Sequence, residues 1–356
     1  MFTIAELMAA LPREVYTDHA RYGATVHRTC HQAIARELTA LDVQEGHRVL
    51  EVGTGSGYTG ALLAQLVGPD GNVTSVDISA ELTDRARRIH AERGVRTVDC
   101  RTGDGLAGHP GAAPYDRIVA WLTPPRLPQA LVAQLAVGGR LVSCLPITEL
   151  PYLTVVATIA AVAGEPQVDA MFSGGYVQSR TVAGDDLVVP HRWADWVTPG
   201  PNRSWVSVSW RDHDDPDRTG ARTTLHRLLH PGHTEPWPGA PMDWDSWNAF
   251  SAALGEPGLS TVDLRGRIRA IGHSSPRSVA MVQVDGAIIA DRPDSPSLPI
   301  LHTWLRRWEK AGRPDASQLA PALHRVDNAS CPGWDLRVSS PLPPTAAARS
   351  VAGGQT

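Results

Sequence analysis

The sequence predicts an α/β protein with a doubly wound parallel sheet, followed by a smaller C-terminal α+β module. Three observations lead to this prediction. Strand-like apolar stretches alternate with helix-like stretches between about residues 47 and 145, which is typical of parallel strands joined by crossover helices. The first apolar stretch, residues 49–52, enters a Gly-x-Gly-x-Gly turn. Beyond residue 174 the alternation ends, and ten of the eleven tryptophans lie between residues 193 and 334.

The individual elements follow from apolar periodicity and from turn residues. In the N-terminal part we expect helices at residues 3–10 and 30–41, the second with Thr29 as its N-cap. In the core we expect strands at 49–52, 72–77, 95–100, 115–121 and 140–145, and helices at 58–66, 79–93 and 127–135. Two apolar runs, 152–163 and 168–173, are expected to close the sheet as an antiparallel hairpin. Later strands are expected at 204–210, 278–284 and 286–290, and helices at 243–254 and 298–311.

The domain organisation follows from these elements and from the change in composition. A chain of 356 residues is long enough for two medium-sized domains. We expect an N-terminal helical segment (1–46), a ligand-binding core (47–180) and a tryptophan-rich module (181–339). Residues 340–356 are rich in proline, alanine and glycine, so we expect a disordered tail there.

Composition and charge exclude several classes of function. The net charge of −4 and the pI near 6.4 leave no electrostatic footprint for nucleic acid or for an anionic membrane. The first thirty residues lack a basic-then-apolar signal pattern, and no apolar run reaches the roughly 18 residues of a membrane helix. The four cysteines are far apart, which indicates reduced thiols in a cytoplasmic protein. The histidines form no motif such as His-Glu-x-x-His, so we expect no metal site.

The glycine turn predicts a ligand-binding site. Gly53, Gly55 and Gly57 precede a helix N-terminus, where free N–H groups can meet polar ligand atoms. A dinucleotide fold prefers Gly-x-Gly-x-x-Gly, but here the third glycine comes one residue early and Tyr58 follows it. Glu-x-Gly-x-Gly-x-Gly after an apolar strand is instead typical of S-adenosylmethionine-dependent methyltransferases. The alternative is a glycine-rich turn in another α/β protein.

Acidic residues at strand ends add to the expected cofactor site. Asp77 ends the second strand about twenty residues beyond the turn, as the ribose-binding acid of nucleotide folds does; alternatively, it caps the next helix. Asp104 and Gly105 follow the third strand and would meet the adenine, or form an ordinary turn. Glu51 orients the backbone or the methionine amino group, or is a buried structural acid. The full expected cofactor set is Glu51, Gly53, Thr54, Gly55, Gly57, Tyr58, Asp77, Ile78, Asp104 and Gly105.

These motifs together resemble the protein-L-isoaspartate O-methyltransferases. The matching stretches are 48–58 (Arg-Val-Leu-Glu-Val-Gly-Thr-Gly-Ser-Gly-Tyr), 103–105 (Gly-Asp-Gly), 113–119 and 128–135, the last leading to 138–142. The resemblance covers about residues 20–180. It implies a Rossmann-like class I methyltransferase sheet, S-adenosyl-L-methionine as cofactor with S-adenosyl-L-homocysteine as product, and a peptide or protein substrate that bears an aspartyl or isoaspartyl carboxylate.

The sequence departs from this family on the expected acceptor side. The family carries a Thr-Ile-Ser-x-Pro-like segment before the first core helix, with the serine hydroxyl near the acceptor. That serine falls on Thr29 and the proline on His31. The resemblance therefore implies a catalytic role for Thr29 and substrate contacts for His27, Arg28 and His31, while the helix-cap role of Thr29 stays open.

A looser resemblance concerns the C-terminal half. Residues 301–314 and 174–178 are similar to isoaspartate-type methyltransferases found with ATP-grasp enzymes of graspetide maturation. That resemblance implies esterification of an aspartate in a ribosomally made, post-translationally modified peptide (RiPP), followed by cyclisation to aspartimide. Trp193 and Trp196 would then line a peptide groove. The alternatives are general isoaspartate repair and a non-catalytic cofactor-binding scaffold.

Overall fold

The computed structural model describes residues 3–162, 164–184, 189–328 and 330–340. These residues form two compact units. The first unit comprises the described residues within Met1–Leu145, Val156–Asp186 and Leu323–Asp335, and the second comprises those within Pro146–Val155, Leu187–Ala322 and Leu336–Thr356. The division thus differs from a single boundary near residue 180, because 146–155 joins the second unit and 323–335 returns to the first. The expected disordered tail lies, from residue 341 onward, outside the described residues.

The N-terminal part of the first unit contains three helices and a short hairpin. These elements are α1 (Ile4–Ala10), α2 (Glu14–Thr17), β1 (Asp18–His19), β2 (Gly23–Ala24) and α3 (His31–Leu41). Ile34, Leu38 and Leu41 are buried on one face of α3, as their spacing predicts. The predicted N-cap is wrong, because Cys30 occupies that position and makes no side-chain cap hydrogen bond.

The central sheet has seven strands in the order β10-β9-β8-β6-β3-β4-β5. Along this part of the chain the elements are β3 (Arg48–Val52), α4 (Tyr58–Val67), β4 (Asn72–Asp77), α5 (Ala80–Glu92), β5 (Val98–Thr102), β6 (Tyr115–Ala120), β7 (Leu127–Pro128), α6 (Gln129–Ala133), β8 (Leu135–Pro146), β9 (Thr154–Val162) and β10 (Glu165–Ser173). Strand β7 lies outside this sheet and belongs to a separate three-stranded sheet. The five strands β5, β4, β3, β6 and β8 are parallel. The links after β8 and β9 are too short for a crossover, so these last strands run antiparallel. The predicted doubly wound sheet is confirmed.

The core of this unit explains why the glycine turn is held firmly. Strand β3 lies in the middle of the sheet and is buried from Val49 onward, as expected for a parallel strand covered on both faces. Helix α4 is also almost entirely buried. Each fully buried aliphatic side chain contributes about 1.5–3 kcal/mol relative to exposure, so the turn between β3 and α4 has a rigid base.

The helix predicted at 127–135 is much shorter in the structure. Residues 127–128 form β7, which pairs with the later strand β19 (Gly333–Ser339), and Gln129 N donates to Pro332 O at 2.9 Å. The helix α6 therefore occupies only Gln129–Ala133, and β8 already begins at Leu135. The local sequence near residue 127 does not predict that this segment pairs with a strand that begins at residue 333.

The second unit contains a seven-stranded antiparallel sheet of order β11-β12-β14-β15-β16-β17-β13. Its elements are β11 (Trp196–Val197), β12 (Trp205–Val208), α7 (Thr219–Leu229), β13 (His233–Pro236), α8 (Trp244–Ala253), β14 (Leu259–Leu264), β15 (Ile268–Ser275), β16 (Ser278–Gln283), β17 (Ala287–Ala290) and α9 (Ser297–Lys310). Strands β18 (Ala320–Val326) and β19 (Gly333–Ser339) have residues in both units. The strands and helices predicted here are found, whereas α7, β11, β13, β14 and β15 were not predicted.

Four of the nine tryptophans of the second unit are buried in its core. Trp205, Trp247 and Trp308 are fully buried, and the rings of the last two meet edge to face at 5.7 Å. Trp196 is partly buried against a cluster of apolar side chains, with the Arg222 guanidinium over its ring. The expected peptide groove at Trp193 and Trp196 stays a prediction.

Candidate active site

The glycine turn joins the end of β3 to the start of α4. Gly53 N donates to Val76 O at 2.8 Å, and Gly57 N donates to Thr54 O at 2.8 Å. All three glycines have positive φ (97°, 50° and 84° for residues 53, 55 and 57). Gly57 is the N-cap of α4 and has no side chain to cap it; Tyr58 N, the first N–H of α4, donates to Ser56 Oγ at 3.3 Å. A helix N-terminus of this kind favours polar or anionic ligand atoms.

Close neighbours also require glycine in this turn. A Cβ on Gly57 would lie 2.9 Å from the Cβ of Ala86 on α5, which is closer than real Cβ contacts. A Cβ on Gly55 would lie 3.3 Å from the carbonyl oxygen of His27. The turn is therefore packed between α5 on one side and the loop before α3 on the other.

Asp77 ties the turn to the neighbouring strand end. Its Oδ2 accepts from Gly55 N at 3.0 Å, and its Oδ1 accepts from Ser79 N at 2.9 Å. Each carboxylate oxygen has a second lone pair, so both can still accept from a ribose hydroxyl. Ser79, rather than Asp77, is the side-chain N-cap of α5, since its hydroxyl accepts from Leu82 N. Ile78 lies half-buried between these two residues.

Asp104 and Gly105 lie at the same edge of the sheet. Strand β5 pairs with β4 so that Thr102 is opposite Asp77, and Gly103 N donates to Asp77 O at 2.9 Å. Asp104 is exposed and caps a short 3₁₀ turn by accepting from Leu106 N at 2.9 Å. A Cβ on Gly105 would lie only 2.4 Å from Val52 Cγ1, so this turn is pressed against the end of β3. The carboxyl ends of three parallel strands thus bring the predicted cofactor residues together.

Glu51 is the fully buried acid beneath the turn. Ser75 Oγ donates to its Oε2 at 2.6 Å, while Trp121 Nε1, at 3.0 Å, and the Thr59 hydroxyl donate to its Oε1. Burial raises the pKa of Glu51 to about 7, and these hydrogen bonds limit the rise. Of the two roles left open, the buried structural acid agrees with these contacts.

Two further residues of the predicted cofactor set have inward-facing side chains. The Thr54 hydroxyl is buried and lies 2.7 Å from Ser75 Oγ. The Tyr58 ring is buried against Tyr16, with ring centroids 5.7 Å apart. These two side chains support the turn from below, and only their backbone atoms remain candidates for ligand contact.

The segment of residues 27–31, called here the acceptor-side segment, covers the glycine turn. His27 contacts Gly55 as described above, and the His31 ring meets the Tyr58 ring edge-on at 6.4 Å. Arg28 is exposed and pairs with Asp18 at 3.3 Å. The structure therefore brings His27 and His31 close to predicted cofactor residues, whereas Arg28 contacts Asp18 instead.

Thr29 lies in the middle of the acceptor-side segment and is half-buried. The Arg13 guanidinium donates to its backbone carbonyl. Within the described ranges, its hydroxyl makes no hydrogen bond, which leaves this hydroxyl available to a substrate.

Three residues that sequence reasoning missed also shape the site. Arg85 donates to the carbonyls of Ser56, at 3.3 Å, and Gly23, at 2.8 Å. His90 Nε2 lies 2.8 Å from Gly57 O, and burial lowers the pKa of this imidazole, which favours its neutral form. Arg13 is the third. In sequence, Arg85 stands among other helix arginines, and no local pattern distinguishes it.

Neither a metal centre nor a membrane helix is found in the part of the chain that the structure describes. No group of three or more His, Cys, Asp or Glu side chains is placed to hold a metal ion there. No helix among the described residues is long and apolar enough to cross a membrane.

Comparison with known proteins agrees with this geometry. Residues 4–176 match the family of protein-L-isoaspartate(D-aspartate) O-methyltransferases. A protein-L-isoaspartate O-methyltransferase of Ignicoccus hospitalis is 39% identical over 159 residues, which cover 42% of this chain and 74% of that relative. The corresponding enzyme of Anaeromyxobacter dehalogenans is 46% identical over 143 residues, covering 39% of this chain and 65% of that relative.

A solved structure of a protein-L-isoaspartate O-methyltransferase aligns over 96% of both chains, at 18% identity and a TM-score of 0.43. A similarity this low adds nothing to the topology described above. The family match itself ends at residue 176, before most of the second unit. The match confirms the predicted family, enzyme class and methyl donor. The chain therefore belongs to the protein-L-isoaspartate O-methyltransferase family and is an S-adenosyl-L-methionine-dependent carboxyl O-methyltransferase.

Proposed function

We propose that this enzyme methylates the free α-carboxylate of L-isoaspartyl residues in peptides or proteins, which is the activity named for its relatives. The observation that supports the proposal is the closeness of His27 to Gly55, because a Cβ on Gly55 would lie 3.3 Å from the His27 carbonyl oxygen. A carboxylate that binds along residues 27–31 would lie beside the methyl donor. This placement is what in-line transfer of a methyl group requires.

The proposed roles of the cofactor residues follow from their positions. Backbone N–H groups at the start of α4 bind the carboxylate of the methionine moiety, since a helix N-terminus favours anions. Asp77 accepts from the ribose hydroxyls, and Asp104 accepts from the adenine amino group. Glu51 contacts neither part and instead fixes the floor of the turn through Thr59 and Trp121.

The chemistry needs no general base in this chain. An isoaspartyl carboxylate is already an anion at neutral pH, and it attacks the sulfonium methyl while the carbon–sulfur bond breaks. The products are the methyl ester and neutral S-adenosyl-L-homocysteine. The contribution of the protein is to orient the two reactants and to exclude water. We assign Thr29 the task of donating its hydroxyl hydrogen to the acceptor carboxylate.

The test compares two peptides that differ only in the linkage of one residue. Incubation with S-adenosylmethionine should add one methyl group to the isoaspartyl peptide and none to its aspartyl twin, as read by mass spectrometry. Loss of methanol should follow, as the ester is attacked by the next backbone nitrogen. Equal methylation of both peptides, or of neither, would count against the proposal.

A second candidate is dedicated methylation of an aspartate in a ribosomally made, modified peptide, with the ester closing to aspartimide. Two observations favour it: the departure at Thr29 and His31 from the family pattern, and a second unit that lies mostly beyond the family match. The family relatives favour the first candidate. The neighbouring genes distinguish the two candidate functions. A gene for a short precursor peptide beside a gene for a cyclising enzyme would identify the substrate that the second candidate requires. Methylation of that cyclised peptide, but not of unrelated isoaspartyl peptides, would establish it.

A further inference from the structure

One face of helix α5 holds the β1–β2 hairpin that leads into the acceptor-side segment. Residues 85, 88 and 92 are spaced by three and four, so they share this face. At its far end, Glu92 accepts from the Tyr22 hydroxyl at 2.5 Å and pairs with Arg21 at 3.2 Å. The Arg88 guanidinium lies 6.0 Å from the centre of the Tyr22 ring. These outer contacts are exposed and involve only the hairpin.

Arg85 differs from these neighbours because it touches two parts of the site at once. Its Nη1 donates to Ser56 O in the glycine turn, and its Nη2 donates to Gly23 O in the hairpin. The residue is only 8% exposed, and burial lowers its pKa, although arginine stays charged. Within the described ranges, no carboxylate lies within ion-pair distance of Arg85, and its buried Nε has no hydrogen-bond partner.

A buried, unpaired arginine of this kind contributes little to the stability of a fold. A buried cation without a paired anion loses hydration that two carbonyl contacts only partly replace. An apolar residue of similar size would fill the same space without that loss. The guanidinium group instead fixes the distance between the two carbonyl groups that it binds, because its hydrogen-bond donors are held in a planar fork.

We propose that Arg85 is a positioning residue that couples the acceptor-side segment to the cofactor turn. Through Gly23 it sets where the hairpin ends, and therefore where residues 27–31 lie relative to Gly55. Through its hydrogen bond to Ser56 O, the same side chain also fixes the position of the glycine turn. Occupation of the turn by cofactor then orders the acceptor-side segment. This inference rests on the proposed placement of the acceptor at that segment.

The experiment compares Arg85→Met, which keeps the length of the side chain, with Arg85→Lys, which keeps the charge but lacks the fork. Arg87→Met is the matched control, because Arg87 lies on the same helix and, among the described residues, its hydrogen bonds go to Asp84 and to Cys100 O. Glu92→Gln loosens the hairpin without touching the turn. The readouts are the affinity for S-adenosyl-L-homocysteine by calorimetry and the kcat and KM for an isoaspartyl peptide.

We expect Arg85→Met to lower kcat by about 10- to 100-fold, because a displacement of about 1 Å in a reacting group can cost that much. Affinity for S-adenosyl-L-homocysteine should change less than about fivefold, and Arg85→Lys should recover part of the rate. Arg87→Met should resemble the wild type. An unchanged kcat would overturn the proposal. So would parallel losses of kcat and product affinity, which mean that Arg85 only supports the cofactor turn.

A second measurement does not depend on the identity of the acceptor. S-adenosyl-L-homocysteine should slow amide hydrogen exchange in residues 23–31 of the wild type and of Arg87→Met, but not of Arg85→Met. If the wild type shows this protection and yet no isoaspartyl peptide is methylated, the proposed substrate is wrong and the coupling stands. If protection survives unchanged in a folded Arg85→Met variant, the coupling is refuted.

Discussion

Among single residues, Glu51 has the most unusual surroundings. Its carboxylate is fully buried, and burial raises its pKa from 4.5 to about 7. The folded state therefore holds the proton more tightly than the unfolded state. Its contribution to stability is fully present below pH 4.5 and is lost as the pH rises through about 7. Over this window the change amounts to about 3 kcal/mol.

Replacing Glu51 with glutamine should remove this pH dependence. The Gln side chain fits the site, because its amide can donate to Ser75 Oγ while Ser75 donates onward to Thr54 Oγ1, 2.7 Å away. As the pH rises from 4.5 to 7.5, we expect the free energy of unfolding of Glu51→Gln to rise relative to that of the wild type, by up to about 3 kcal/mol in total. Urea denaturation of both proteins across this range measures the difference. Parallel pH profiles would contradict the assignment.

Asp77 is the residue whose loss should most directly weaken cofactor binding. Asp77→Ala removes the acceptor expected for the ribose and also releases Gly55 N from its hydrogen bond. Hydrogen bonds to a charged group contribute about 1.5–3 kcal/mol, so affinity for S-adenosyl-L-homocysteine should fall by about 10- to 100-fold. Calorimetry measures this fall. Asp84→Ala, which removes an exposed acid from the following helix α5, is the control.

Two outcomes of that experiment would change the interpretation. Unaltered affinity in Asp77→Ala would remove this residue from the cofactor site. Lost affinity together with undiminished biological function would revive the hypothesis of a non-catalytic scaffold.

Sequence reasoning at this scale was limited by side chains that act across the fold. Asp77 and the glycines could be located because a strand followed by a turn has a local signature. Arg85 could not, because its partners at residues 23 and 56 are distant in sequence, and adjacent arginines on α5 are exposed. The N-cap prediction for Thr29 fails because threonine is a preferred N-cap residue, yet the helix begins one position later, after Cys30, which makes no side-chain cap hydrogen bond.

At the scale of elements, the 3₁₀ turn at 105–107 depends on the end of β3. The contact of 2.4 Å between Val52 Cγ1 and a Cβ on Gly105 leaves no room for a larger residue. We expect Gly105→Ala to lower the free energy of unfolding by about 1–3 kcal/mol, the usual cost of overpacking. Gly103→Ala is the matched control, because its Cβ would meet only Val76 Cγ1 at an ordinary 3.9 Å.

A double-mutant cycle tests the cause of that loss. If the contact with Val52 is responsible, then Gly105→Ala combined with Val52→Ala should be less destabilised than the two single changes added together, with a coupling of at least about 0.5 kcal/mol. Strictly additive losses would show that Gly105 is required for another reason. Urea unfolding of the four proteins supplies the values.

Elements of the second unit show why sequence patterns miss buried polar strands. All six residues of β14 are buried, yet Ser260, Thr261 and Asp263 make its sequence appear polar. Neighbouring strands satisfy part of this polarity, as in the hydrogen bond of 2.7 Å between Ser260 Oγ and Ser274 Oγ. Apolar alternation cannot identify such a strand, whereas β16 and β17, which are rich in valine, isoleucine and alanine, were predicted.

For the molecule as a whole, the main feature is the return of the chain to its first unit. After the second unit, Gly333 and Trp334 pair with β7, and Arg126 lies 3.2 Å from Asp335. A Cβ on Gly333 would lie 2.0 Å from the carbonyl oxygen of Leu127, so this return requires glycine. No local sequence pattern near residue 127 or residue 333 predicts that these two segments pair.

We expect Gly333→Ala to detach this returning strand from the first unit. The amide of Gln129 would lose its hydrogen bond to Pro332 O, and its hydrogen exchange should accelerate by at least about tenfold, as read on a peptide spanning residues 127–134. Gly111→Ala is the control, since its Cβ would meet only His109 Nε2 at 3.7 Å. Unchanged protection of Gln129 would mean that β7 holds without its partner.

This returning strand also has a consequence during protein synthesis. The parallel strands beside the glycine turn have all left the ribosome well before residue 333 is made, and domains generally fold in the order in which they emerge. At typical translation speeds of about 5–20 residues per second, β7 waits on the order of 10 s for its partner. The nascent chain therefore carries the methyltransferase sheet while the separate short strand Leu127–Pro128 stays unpaired, until residues 333–334 have been made.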